Sequence, residues 1–149
     1  MLSKTHLAIG LFFMLFFISR VTHVFSYVSI FILATLLPNL DRVLSLKFFK
    51  LNKMVRKRGF FHSFTFCLII TFLLAWFFPI VAFPFFLAYG THLIVDSWTV
   101  EGIYPFWPLK YISKGRVKTG SSFEHMIFYT FVIADIVLIG FLFFWLCYF

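Results

Sequence analysis

Five apolar segments follow one another along the chain, at about 4–19, 24–37, 60–78, 81–98 and 123–149. Two polar stretches, 39–59 and 99–122, separate them into groups. Within the segments the apolar residues are continuous rather than alternating, which argues against the period-2 pattern of a membrane barrel. Continuous runs of this length predict helices, the form whose backbone is satisfied without water. The third and fifth segments reach the roughly 20 residues that a membrane crossing needs, whereas the first, second and fourth are short and would thin the bilayer locally. Proline marks the joints. Pro38 closes the second segment, because a residue before proline is pushed out of the helical region. Pro79 and Pro84 are expected to separate the third and fourth, which as one helix would run roughly 58 Å, far beyond the hydrocarbon core. The expectation is an all-α fold, a multi-pass transmembrane helical bundle of about five segments in a single integral membrane domain, 1–149.

Composition agrees. The chain is 62% hydrophobic and 12% charged, with mean hydropathy +1.01, against roughly 25% charged residues in soluble domains. The apolar stretch near the N-terminus is followed by Ser-Arg-Val-Thr-His rather than a small-residue cleavage site, so it reads as a retained segment. The cysteines, Cys67 and Cys147, both fall in apolar runs and form no metal or redox spacing.

The net charge of +8 would suit nucleic acid or anionic lipid, but its placement has a simpler cause. With five passages, the N-terminus and the stretches 39–59 and 99–122 share one side, and that side holds all thirteen Lys and Arg except Arg20. By the positive-inside rule this side is cytoplasmic, with the N-terminus inside and the C-terminus outside. Nucleic-acid binding is not expected; membrane lipids are the expected surroundings. Leu44, Leu46, Phe48, Phe49 and Leu51 suggest an amphipathic piece on the membrane surface, and Tyr104, Trp107 and Tyr111 suit an interfacial belt.

Only five acidic residues occur in the chain, so each needs a reason in this setting. The topology, built from hydrophobicity and basic residues alone, brings His6, Asp41, His62, His92, Asp96, Glu101 and Glu124 to one membrane face, as ligands of a site in a helical bundle would be. His92 and Asp96 stand four residues apart and share a helix face. A metal can bridge them, the carboxylate can orient the imidazole, or the two can form a plain helix pair. Imidazole and carboxylate donors suit a divalent ion, zinc first, with manganese or iron as alternatives. His6, Asp41, His62, His92 and Asp96 are the ligand candidates. Asp41 also has Arg42 beside it as a partner. Glu101 reads as a loop acid or a catalytic base, and Glu124 as a helix-start acid, a further ligand or a base. Arg42, Lys57 and Arg58 are candidates for an anionic substrate group, besides their role in topology. Asp135 lies about three turns past Glu124 on the same face, with Thr71 as its expected partner.

Five motifs resemble, in order, the YdjM-like family of membrane-bound metal-dependent hydrolases. They are Thr-His-Leu-Ala-Ile-Gly at 5–10, Leu-Leu-Pro-Asn-Leu-Asp at 36–41, Arg-Gly-Phe-Phe-His-Ser at 58–63, Gly-Thr-His-Leu-Ile-Val-Asp-Ser-Trp-Thr-Val-Glu-Gly at 90–102, and Thr-Gly-Ser-Ser-Phe-Glu at 119–124. The resemblance implies a multi-pass bundle, a divalent metal and hydrolysis. The His and Asp pattern is also similar, more distantly, to zinc-dependent phospholipase C enzymes, which implies a lipid or phosphoester substrate. Asn39 stands where the family has the first acid of Leu-Pro-Asp-x-Asp. Lys57 and Phe61 stand where it has His and Thr, which leaves room for one metal rather than two, or for an inactive relative. The other class of reading is a non-catalytic membrane protein, a lipid-binding, scaffolding or transport element with a structural metal or none.

Overall fold

The computed structural model describes residues 1–39, 60–109 and 111–148. Among them are five α-helices: α1 (Ser3–Ile18), α2 (Val24–Leu36), α3 (Phe64–Phe77), α4 (Pro79–Ser97) and α5 (Ser122–Tyr148). One-turn 3-10 helices, Leu37–Asn39 and Phe60–His62, follow α2 and precede α3. No strand beyond isolated bridges occurs among the described residues.

The α3–α4 joint is a single residue. Phe78 leaves the helical region at φ −143°, ψ 67°, and Pro79 takes the first position of α4, where its missing N–H is no loss. Pro84 does not mark the joint, as the sequence suggested; it lies buried inside α4.

The helix α4 is the central one. It packs most heavily against α2 and α3 and also against α1, while α5 packs mainly on α1. Tyr27 and Phe31 of α2, Cys67 of α3 and Ala88, Tyr89 and Leu93 of α4 form the core. A second cluster of Met1, Ile9 and Val95, with Ile127 and Phe131 against it, fastens α5 at the junction of α1 and α4. Two helices, Pro79–Ser97 and Ser122–Trp145, are long and apolar enough to cross a membrane. Almost none of Ser122–Trp145 is buried inside the protein, and Ile133, Ile136, Val137, Phe141 and Phe143 are exposed along it. That surface is far larger than the apolar patches soluble monomers leave in water. The other three helices, at 16, 13 and 14 residues, reach only about 20–24 Å at 1.5 Å per residue.

The stretch between α4 and α5 folds back under the helix ends. Thr99 bridges Val117, and Ile103 bridges Ser113. Gly102 has φ +65°, a left-handed conformation that favours glycine. Gly115 is required for another reason: a Cβ there would lie 2.0 Å from the Trp98 carbonyl oxygen. The loop backbone therefore lies directly against the C-terminal turn of α4.

Candidate metal centre

The site starts from the i, i+4 pair on α4. His92 and Asp96 are both nearly fully buried, and His92 Nε2 lies 3.6 Å from Asp96 Oδ2. Thr99 caps the helix below them, donating from its hydroxyl to the Asp96 carbonyl at 2.7 Å. His6 enters from the start of α1, its Nε2 3.1 Å from Asp96 Oδ1. Its ring approaches that of His92 to 4.1 Å between centroids. His62 arrives from the turn before α3, with Nε2 3.6 Å from Asp96 Oδ2. That turn is held from three sides. The Ser63 hydroxyl caps α3 by accepting from Phe66 N at 3.2 Å. Phe64 N donates to Pro105 O at 2.8 Å, and the Tyr89 hydroxyl donates to the Phe61 carbonyl. Three histidines from separate elements thus surround one carboxylate.

The hydrogen bonding of the rings decides what this arrangement can hold. His6 Nδ1 lies 3.2 Å from the Leu2 carbonyl. A carbonyl only accepts, so Nδ1 carries a proton and Nε2 is the nitrogen turned toward Asp96. His6 Nε2 and both nitrogens of His92 have no hydrogen-bond partner, although such buried groups are normally satisfied. Two acceptors facing each other at 3.1 Å repel, so a cation belongs between Nε2 and the carboxylate, either a metal ion or a ring proton. The ligand atoms of His6, His92 and Asp96 all lie within 4.8 Å of one another. With metal–ligand bonds of about 2.0–2.1 Å, a tetrahedral site has ligand edges of about 3.3 Å, and the three His–Asp distances fall on either side of that value. The residues fit a divalent ion, with His6, His92 and Asp96 closest together and His62 beside them. One cation of the protein already touches the carboxylate: the α-amino group of Met1 donates to Asp96 Oδ1 at 3.1 Å.

Glu124 is placed differently. It is fully buried, and its carboxylate accepts from Leu2 N at 2.5 Å, Thr5 Oγ1 at 3.2 Å and Gly120 N at 2.6 Å. Ser121 caps α5, its hydroxyl accepting from Glu124 N at 3.4 Å. The pair forms a variant of the capping box, with the glutamate reaching Gly120 N instead of the cap residue's own amide. Gly120 makes this turn at φ +79°. Glu124 therefore ties the start of α5 to the start of α1, one turn from His6. Glu101 sits exposed on the turn after α4, outside the group of converging ligand atoms. Asp41, Arg42, Lys57 and Arg58 lie outside the described residues. Asp135 is buried, but Thr71 is not its partner: the Thr71 hydroxyl and Asp135 Oδ1 each lack a hydrogen bond.

Sequence reasoning missed Thr5, Thr99 and Met1. Thr5 and Thr99 are fully buried polar residues beside His6 and Asp96 in the chain. Their places in the motifs at 5–10 and 90–102 marked them, but threonine is also at home on an apolar helix.

The helices and the buried cluster together define an all-helical membrane protein with a His/Asp site able to take a metal ion. The sequence model of the YdjM inner membrane protein family matches residues 1–149, and the chain belongs to that family. The resemblance carried by the five motifs is thereby borne out over the whole chain. No curated protein and no solved structure matches it.

Proposed function

We propose that this protein is a membrane-embedded, metal-dependent hydrolase working at the cytoplasmic interface on a lipid or another phosphoester. The observation that carries the reading is the set of buried, unbonded ring nitrogens of His6 and His92 turned on Asp96. His6, His92 and Asp96 would hold the ion, zinc first with manganese or iron as alternatives, and His62 and Asp41 are its further ligands. Such an ion, when bound, polarises a scissile ester and acidifies water. Around it the chain's own groups have separate tasks. Asp96 collects the imidazoles. The Leu2 carbonyl fixes the tautomer of His6. Glu124 is a positioning residue that holds α1 in place. Glu101, on the turn after α4, is the candidate base that would take a proton from water at the site. Arg42, Lys57 and Arg58 hold the anionic part of the substrate. Asn39, Lys57 and Phe61, in place of the family's polar residues, support one ion rather than two.

The topology belongs to the same reading: five passages, the N-terminus and both basic stretches in the cytoplasm, and the C-terminus outside. A reporter fused after Phe149 is expected to read as non-cytoplasmic, and a cytoplasmic signal sinks the five-pass arrangement. The activity is tested by turnover of a phospholipid and phosphoester panel by protein in mild detergent. Hydrolysis is expected to stop with chelator and return on adding zinc or manganese. Bound metal without turnover of any substrate leaves a structural centre in its place.

A second reading has its own support in the Met1 ammonium on Asp96. There the cluster is a structural charge centre without a metal, in a lipid-binding, scaffolding or transport protein. The metal content of the purified chain separates the two.

A further inference from the structure

Where the 99–121 stretch meets α5, two open grooves share Arg116, Val117 and Phe123. One, of about 340 Å³, has an apolar wall of Trp98, Val117, Phe123 and Ile127. The other, of about 380 Å³, adds Lys118 and Ser121. Their polarity runs in one direction. Phe123 and Ile127 are four residues apart and so form one stripe of α5. Beyond them the helix is exposed and apolar through the length that can cross a membrane. At the opposite end the side chains of Arg116 and Lys118 are exposed, and neither has a carboxylate partner among the described residues. The one acid adjoining the groove in sequence, Glu124, is buried and spent on Leu2, Thr5 and Gly120.

We propose that this composite groove is a binding site for an anionic phospholipid. The headgroup phosphate lies between Arg116 and Lys118, and an acyl chain follows Phe123 and Ile127 along α5. Charge complementarity selects the occupant. A zwitterionic lipid offers the same chains and phosphate but brings a cation toward two cations already present, whereas a net-negative headgroup does not. Basic residues at a membrane surface each favour anionic lipid, and two together set a preference of about 30-fold. The site does not depend on the metal centre or on catalysis, so the two proposals fail separately.

Trp98 lines the groove and reports on it. With Trp76, Trp107 and Trp145 replaced by phenylalanine, the protein is reconstituted in nanodiscs containing phosphatidylglycerol or phosphatidylcholine with the same brominated chains. Trp98 quenching is expected to show this anionic preference of about 30-fold. Arg116→Gln with Lys118→Gln is expected to abolish the preference while leaving quenching by brominated phosphatidylcholine intact, which shows the fold is kept. Arg116→Lys retains it, and chelator leaves it unchanged. Equal quenching by the two lipids, or an undiminished preference in the double variant, overturns the site. Native mass spectrometry of the chain with all four tryptophans, titrated with the same two lipids, gives the same decision if the single-tryptophan protein does not fold.

Discussion

The Asp96→Ala variant is expected to emerge from purification without the divalent ion that the wild-type chain is expected to carry. Asp96 is the one group that every histidine of the cluster approaches, at 3.1, 3.6 and 3.6 Å. Losing only an outer partner of a metal ligand costs about 10–100-fold in affinity. Losing the carboxylate itself is expected to cost at least about 100-fold. His92→Ala should behave alike, because both its ring nitrogens are buried without other employment. Asp135→Asn, which alters a different buried carboxylate, is expected to keep the ion. The measurement is elemental mass spectrometry on protein prepared in mild detergent without chelator. A metal-free wild-type chain removes the centre and leaves the Met1–Asp96 ion pair as the explanation of the cluster.

Glu124→Ala is expected to be the most destabilising single change at this face. It leaves the Leu2 and Gly120 amides and the Thr5 hydroxyl without their acceptor. A buried donor left unpaired costs about 1–3 kcal/mol; the Thr5 hydroxyl is buried and the two amides are part-buried, so a total loss of about 3 kcal/mol is expected. For a chain of this size that lowers the melting temperature by on the order of 10 °C. Glu124→Gln keeps one acceptor oxygen and should fall between the two. Metal affinity is expected to drop with stability, because His6 rides on the helix that Glu124 moors. Thermal unfolding in detergent, followed by far-UV circular dichroism, reads the effect. An alanine variant that melts like the wild type yet has lost turnover would reassign Glu124 from mooring to proton transfer.

Much of this was legible in the residues themselves. Long uninterrupted apolar runs permit little but helix in a lipid setting. His92 and Asp96 announce a shared face by spacing alone. That His6 and His62 join them followed from counting sides of a membrane, a coarse argument that works because polar groups are scarce. What stayed hidden has a common cause. Pro84 looks like a breaker, but in α4 the lost hydrogen bond is tolerated within a packed helix. The job of Glu124 depends on the approach of α1, which no local pattern encodes. The Thr71 and Asp135 pairing failed for the same reason: similar depth along two helices says nothing of whether those helices adjoin. The tautomer of His6 needs the actual position of the Leu2 carbonyl.

The Glu124 clasp also sets a schedule. Its bond to Leu2 spans 122 residues of sequence, and contacts that distant close late. While the ribosome is still working, α1 waits without its latch, since the helix bearing the acid has not yet been made. A nascent chain can therefore thread all its earlier helices and still hold an unfinished centre. Maturation of the site is coupled to delivery of the last helix, and a product cut short before α5 would lack the acceptor that holds the start of α1 beside His6.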